Sequence, residues 1–393
     1  MLSGQNIVCF APDLSWNHLW RNRHQIMTRL ARRNKIIFVE PTPYLRPVIQ
    51  QTKQEGLRTL RHSVFYNPMP NLWVYRSANA WPISGKAPLG NITFALRKWQ
   101  LRRALARLDM KRPILWVFRY DLGEMIGHLH EKLVIYHAVD EYSAYALAGE
   151  KNAETHRQRI RQMEQDILGL ADLVFVSSAS LLQTKRPYNE NAYFVPNGVN
   201  YEHFAAPQQL PADVAAIPGP RIGYVGSINE KIDLSLLAAI ARHRPDWRLL
   251  MIGPALFKKP DAIDALRALP NVHFLGRKQV SELPAYMHAC DVCLMPYAHN
   301  AWTDNINPLK LYEYLATGRP IVSTNIPAVQ DFRDVIHIAD NEDAFIRAIV
   351  RAMAETSAEA IARRQRIARQ NTWEQRVETL SSIIQAHLAD EPD

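Results

Sequence analysis

Cysteine is scarce in this chain of 393 residues, with only Cys9, Cys290 and Cys293. So few thiols exclude a disulfide-built scaffold and point to a reducing compartment, the cytoplasm. Cys290-x-x-Cys293 has neither a second such pair nor histidine partners, which sets aside a metal or redox motif. The spacing fits a helix end at Cys290 and a packed strand position at Cys293. Long apolar runs are missing as well: no stretch reaches the ~18 to 20 residues that cross a bilayer. The opening MLSGQNIVCF lacks the charged and apolar regions of a secretory signal. No G-x-G-x-x-G follows a strand pattern, which disfavours a nicotinamide dehydrogenase. Without a zinc-finger, helix-turn-helix or RNP-type pattern, nucleic acid is not the expected partner of a chain whose net charge is +9. Short-period repeats and low-complexity tracts are also absent.

What is present is a 47% hydrophobic composition with a mean hydropathy of −0.24, enough for a sizeable core. At this length two α/β domains are the natural expectation. Short β-branched and aromatic runs alternate with helical patterns throughout. In the first half they are Asn6–Pro12, Lys35–Glu40, Leu72–Arg76, Ile114–Arg119, Leu133–Val139, Leu173–Ser177 and Tyr193–Pro196. The second half has Arg221–Gly226, Arg248–Gly253, Val272–Leu275, Val292–Pro296, Pro320–Thr324 and Val335–Ile338. Most are continuously apolar, as strands buried on both faces of a parallel sheet should be. Helical stretches such as Leu234–Arg242 and Ser281–Ala289 complete βαβ units, predicting two doubly wound, Rossmann-like sheets. The stretch 205–220, rich in Pro, Ala and Gln, reads as the linker. It divides an N-terminal domain, 1–204, from a C-terminal domain, 205–373, and a helical pattern with no strand after it ends the chain at 374–393.

Charge is unevenly shared. Residues 1–205 hold 27 Lys and Arg against 16 Asp and Glu, and the remainder 20 against 22. A basic first half beside a nearly neutral second half predicts an anionic partner for the first. The run Arg97-Lys98-Trp99-Gln100-Leu101-Arg102-Arg103 continues through Arg107 to Lys111-Arg112. Leu96, Leu101, Leu105 and Leu108 give it an apolar stripe. Such a helix is either a solvated surface or a face that lies on an anionic membrane with Trp99 at headgroup level.

The segment from Asp304 to Thr324, DNINPLKLYEYLATGRPIVST, carries the most chemistry. Asn307 suits an N-cap, Pro308 the first helical position, Gly318 the left-handed residue after the helix, and Pro320 the stop. No capping-box glutamate occupies the first amides, because the third helical position is Lys310. Free amides, the helix dipole, Leu309 at the opening turn and Lys310 therefore make an anion site suited to a diphosphate. Glu313 lies one turn on, where its carboxylate can accept bonds from ribose hydroxyls. A solvated helix with an incidental Lys/Glu pair fits the same spacing.

This segment resembles the donor-binding motif of family 4 glycosyltransferases of the GT-B superfamily. There a loop leads into a helix carrying Lys and Glu ahead of a G-x-P-V/I-V strand. Val195-Pro-Asn-Gly-Val199 resembles the family's P-N-G-V turn before the linker, and Ile222-Gly-Tyr-Val-Gly-Ser227 its first C-terminal strand and turn. The resemblance implies the GT-B fold, two Rossmann-like domains facing across a cleft, with the terminal helix at 374–393 crossing back to the first. It also implies a nucleotide-sugar donor, UDP-linked by preference, with neither metal nor cofactor. Donor contacts are then expected from Gly226, Ser227, Lys231, Asn305, Asn307, Leu309, Lys310 and Glu313. The family usually has a glutamate where Asn305 stands and an arginine where Ser227 stands; Lys231 is the replacement phosphate-binding lysine.

The opening Trp16-Asn-His-Leu-Trp20-Arg21-Asn-Arg-His24-Gln resembles a bacterial exopolysaccharide and teichuronic-acid branch with a W-x3-W-R-x2-H-Q pattern. That branch implies a polysaccharide or lipid-linked saccharide acceptor. Trp16, Arg21 and His24, with Arg119 at a strand end, are the acceptor-binding candidates; core packing explains the tryptophans equally well. Glycosyl transfer also needs a base for the acceptor hydroxyl. Asp140 and Glu141 lie just past the carboxyl end of a strand, where open sheets place their sites. Similar inverting enzymes carry an aspartate base in a comparable context, so Asp140 is the expected base, with Glu141 and His137 as alternatives; as a plain helix cap Asp140 would do no chemistry. A UDP-sugar 2-epimerase of GT-B architecture, or a non-catalytic nucleotide-sugar-binding protein, would share most of these features.

Overall fold

A computed structural model describes residues 1–390 apart from 12–15, 18–19, 62, 85–87, 146–151 and 258–259. The chain divides into two compact units, Met1–Val195 with Val377–Asp393, and Pro196–Arg376.

The first unit is built on an eight-stranded sheet. Its strands are β1 (Asn6–Phe10), β2 (Lys35–Val39), β3 (Val64–Met69), β4 (Leu72–Arg76), β5 (Ile114–Val117), β6 (Leu133–Ala138), β7 (Leu173–Val176) and β8 (Ala192–Phe194). They lie in the order β3-β4-β2-β1-β5-β6-β7-β8. All neighbours pair in parallel except β3, which runs antiparallel to β4 at the edge. β1 pairs with β2 from Asn6↔Lys35 to Phe10↔Val39 and with β5 from Ile7↔Ile114 to Phe10↔Val117. The central strands are apolar throughout because both of their faces are covered. One layer of the core joins Val8, Ile37, Leu115, Val134 and Val174 to Leu101 and Leu105 of the helix Leu89–Arg107.

The second unit has six parallel strands, β9 (Arg221–Val225), β10 (Arg248–Ile252), β11 (Val272–Gly276), β12 (Val292–Met295), β13 (Ile321–Thr324) and β14 (His337–Ala339). Their order is β11-β10-β9-β12-β13-β14. Its core centres on Ile222, Leu250, Leu294, Val322 and Phe345. Cys290 is buried just after the helix Leu283–His288, and Cys293 is buried inside β12.

The division falls at Pro196, earlier than the composition of 205–220 indicates. Phe204, Val214 and Ile217 are buried in the second unit's core, and 212–215 form a helical turn. The Pro- and Gln-rich stretch is thus a packed strap whose apolar residues are too widely spaced to show a period. The turn before it is tied down by close approach. A Cβ on Gly198 would lie 2.9 Å from the backbone of Thr372 and Trp373, and the amide of Val199 donates to Asn371 O at 3.0 Å. The final helix, Trp373–Asp390, buries Val377, Leu380 and Ile384. Its Glu378 accepts from the N-terminal amine of Met1 at 2.8 Å.

Candidate active site

In the second unit the carboxyl ends of β9 and β10 close in on one helix. Gly226 follows β9 with φ +146°, and Gly253 follows β10 with φ +140°. These are left-handed values that only glycine adopts without strain. A Cβ on Gly253 would lie 2.0 Å from Gly226 O, and one on Gly226 would lie 2.8 Å from Lys310 Nζ. The two glycines therefore let the backbone fold away so that the lysine can come against it.

Lys310 lies in the first turn of the helix Leu309–Thr317. The helix begins one residue later than the capping pattern indicates: Pro308 takes the cap position with ψ 119°, and no side chain caps it. Asn307, expected at that cap, instead clamps the turn at Asn197. Its Oδ1 accepts from Asn197 N at 2.9 Å and its carbonyl from Asn197 Nδ2 at 2.7 Å. The first helical amides thus have no side-chain cap, and the C-terminal end closes on Gly318 in the left-handed conformation, as its sequence demands.

Lys310 Nζ donates to Tyr224 Oη at 2.8 Å and Tyr297 Oη at 3.3 Å, and lies 4.3 Å from the centroid of the Tyr224 ring. Among the described residues no carboxylate makes an ion pair with it. Burial brings Lys310 down from 10.5 to about 7, with Glu313 opposing and Lys231 adding to the shift. Burial likewise raises Glu313 from 4.5 to about 7, opposed by Lys310. A cation and an anion one turn apart, each close to neutrality for want of solvent, make a site whose charge a ligand can set. Lys231 places its ammonium 4.3 Å over the Trp302 ring. Ser227 supplies a carbonyl to Tyr224 Oη at 2.9 Å, and Asn305 ends a helical turn where its amide reaches Ala301 O at 2.8 Å. Tyr224 and Tyr297 escaped sequence reasoning, although Tyr224 sits inside the quoted Ile222–Ser227 pattern, two residues before Gly226.

In the first unit the structure separates the acid–base candidates. His137 is a core residue, 2% exposed, stacked on Phe118 with its Nδ1 accepting from Trp116 Nε1 at 3.4 Å. Burial lowers it to about 3, so it is a neutral packing group rather than a base at a strand end. Glu141 is committed to a buried network. It accepts from Lys185 Nζ at 2.8 Å and Ser143 Oγ at 2.6 Å, while Lys185 also binds Glu164 at 2.7 Å. Burial pushes Glu141 up, but Lys185 and Ser143 outweigh it and hold the carboxyl below its usual range. Asp140 is half-buried just past β6 and accepts from Tyr145 Oη at 2.6 Å. Of the two adjacent carboxylates it is the one outside the Lys185 network.

The acceptor candidates divide in the same way. Trp16 is 5% exposed and His24 fully buried, packed together with Phe38, which corrects their expected contact with an acceptor. Burial, with Arg23 and Arg21 nearby, lowers His24 to about 3, and its Nδ1 accepts from the Arg21 amide at 3.1 Å. The Arg21 side chain is exposed, and Arg119 Nη2 donates to Asp121 at 2.9 Å. Arg97, read as part of an outward basic face, is 4% exposed and paired with Glu124. The outward face of that helix carries Ile92, Trp99 and Arg103 instead, with Arg103 5.5 Å over the Trp99 ring. No described helix is long and apolar enough to cross a membrane, and no described group of three or more His, Cys, Asp or Glu could hold a metal ion.

Two Rossmann-like units in one chain are the architecture of the GT-B fold, and here the second carries Lys310 and Glu313 on the helix Leu309–Thr317. Solved structures agree across the chain's length. Sucrose-phosphate synthase from Thermosynechococcus elongatus superposes with a TM-score of 0.70 at 17% identity, covering 98% of this chain and all of that one. Anabaena HepE in complex with UDP-glucose gives 0.63 at 16% identity, covering 96% and 99%. The E. coli trehalose-6-phosphate protein bound with UDP-2-fluoro glucose gives 0.64 at 12%, covering 96% and 98%. Residues 219–355 match the model of the group 1 glycosyl transferases. Over 254 residues it is 31% identical to the putative teichuronic acid biosynthesis glycosyltransferase TuaH of Bacillus subtilis (strain 168). That match covers 61% of this chain and 64% of the relative's length.

Proposed function

We propose that this protein is a glycosyltransferase that moves a hexose-type sugar from a nucleotide diphosphate, UDP by preference, to a polysaccharide or lipid-linked saccharide. The observation that supports the reading is Lys310, a half-buried amine in no ion pair among the described residues, braced by two tyrosines at an uncapped helix start. A diphosphate supplies the missing charge, with the Leu309 and Lys310 amides and Lys231 completing its cradle. Glu313, one turn on, receives the ribose hydroxyls. The leaving diphosphate is stabilised by the same cations, so transfer proceeds without a metal, and excess EDTA leaves turnover intact.

Asp140 is the base that takes the acceptor's hydroxyl proton as the new glycosidic bond forms and the bond to the diphosphate breaks. Its hydrogen bond from Tyr145 fixes the carboxylate's direction. The relatives add support: HepE was solved with UDP-glucose, and TuaH is named for teichuronic acid biosynthesis. A membrane-bound acceptor fits Trp99 and Ile92, 55% and 54% exposed among arginines on one helix.

Calorimetric titration with UDP tests the donor half. Lys310→Ala and Glu313→Ala are each expected to weaken binding at least about tenfold, the scale of one lost charged hydrogen bond; unchanged affinity removes them from the site. Asp140→Asn is expected to fold normally, keep UDP affinity and lose about 10²- to 10⁴-fold in turnover. Near-full turnover in that variant dismisses Asp140 as the base.

A further inference from the structure

The first unit's strand order reverses beside β1, from which the chain moves out to β2 and β4 on one side and returns to β5 on the other. Open parallel sheets bind ligands beyond the carboxyl ends of their strands at such a reversal. A cavity of about 40 Å³ lies there, walled by Phe10 ending β1, Glu40 after β2, Tyr75 in β4, Arg97 and Leu101 of the helix Leu89–Arg107, and Glu124.

Its polar lining is buried yet incompletely bonded. Tyr75 is 8% exposed and Arg97 4%, but Tyr75 Oη and Arg97 Nε have no hydrogen-bond partner among the described residues. Outside the lining, Arg76 Nε beside Glu40 has none among them either. Glu40 gives one carboxylate oxygen to the Trp16 amide at 2.7 Å, and its other lies 3.8 Å from Arg76 Nη1. Buried donors of this kind are costly unless something accepts from them. Charge around the cavity is already matched, with Arg97 against Glu124, Arg119 against Asp121 and Arg76 near Glu40. A phosphate or carboxylate would upset that balance. A neutral hydroxyl accepts from Tyr75 or Arg97 and donates to Glu40 at once, while Phe10 and Leu101 face its carbon. The volume admits a group the size of one or two waters, matching a hydroxymethyl arm or a ring hydroxyl.

We propose that this cavity takes the hydroxyl-bearing edge of a neutral pyranoside and is the acceptor subsite; the word acceptor rests on the transferase reading above. The test titrates the full chain with the methyl glycosides of glucose, galactose and mannose by saturation-transfer-difference NMR. UDP affinity is measured on the same preparations. At least one glycoside is expected to saturate. Tyr75→Phe, which removes a hydroxyl bonded to no described residue, is expected to keep its Tm and weaken that binding about three- to tenfold. Methyl glucuronoside and inorganic phosphate are expected to bind more weakly than the neutral sugar. The subsite is overturned if no glycoside saturates, if Tyr75→Phe binds as well as the parent, or if the charged probes bind best. A chain that binds glycoside but not UDP keeps the cavity and loses the transferase reading; one that binds UDP but no glycoside does the reverse.

Discussion

At the scale of single residues, Lys310 and Glu313 set the behaviour of the second unit. Both titrate near 7, from opposite directions. Glu313 is raised, so between 4.5 and about 7 the folded chain holds more protons than the unfolded one, and stability falls as pH rises. Lys310 is lowered, so between about 7 and 10.5 the folded chain holds fewer, and stability rises with pH. The pair therefore contributes a stability minimum close to neutrality. Urea unfolding across that range is expected to show it in the parent and lose it in a Lys310→Met, Glu313→Gln double variant. An equal minimum in both would assign it to other groups. Nucleotide acts on the same proton. Anionic diphosphate favours charged Lys310, so UDP binding at about pH 8, where the diphosphate is fully ionised, takes up protons and weakens as pH rises. Calorimetry in two buffers of different ionisation enthalpy measures that uptake, which Lys310→Ala should abolish. Gly226→Ala belongs here too. Its Cβ would meet Lys310 Nζ at 2.8 Å on a left-handed backbone, so a loss of about 1 to 3 kcal/mol is expected on denaturation.

At the scale of elements, the network around Lys185 holds β6, its following turn and the helices Ala153–Leu170 and Ala179–Lys185 together. Tyr136 Oη donates to Glu164 at 2.9 Å, and Lys185 bridges Glu164 and Glu141. Removing the central cation strands buried Glu164 and half-buried Glu141, so Lys185→Ala is expected to cost about 3 to 5 kcal/mol. A denaturation midpoint equal to the parent's would show the network to be dispensable. Element types were largely legible in the sequence because the central strands are solid apolar runs and the helices are amphipathic. β3 was not. Val64–Met69 is an exposed edge strand containing Pro68, and it shows neither buried continuity nor clean alternation. The strap at 205–220 was misleading for the converse reason, since its two buried residues, Val214 and Ile217, are spread among prolines and glutamines. Within the site, Lys310, Glu313 and Gly226 were legible from local spacing. Tyr224 and Tyr297 were not, because they meet Lys310 only after β9, β12 and the helix Leu309–Thr317 pack. His137 and Trp16 misled because a histidine or tryptophan next to a motif reads alike whether it faces solvent or core.

For the molecule as a whole, the excess of positive charge in the first half has a definite surface correlate. Trp99, Ile92 and Leu89 are exposed on one helix beside Arg102 and Arg103. Co-sedimentation with phosphatidylserine vesicles is expected at low salt, falling as salt screens the arginines. Trp99→Ala with Arg103→Ala should reduce it several-fold, and equal binding of this variant would move the contact elsewhere. Everything in the functional account depends on where the nucleotide lies, which a crystal structure of the full chain with UDP decides. The expected density puts the β-phosphate within hydrogen-bond reach of Lys310 Nζ and the first amides of the helix Leu309–Thr317, with the ribose on Glu313. Nucleotide bound anywhere else, or none bound at saturating UDP, would contradict it.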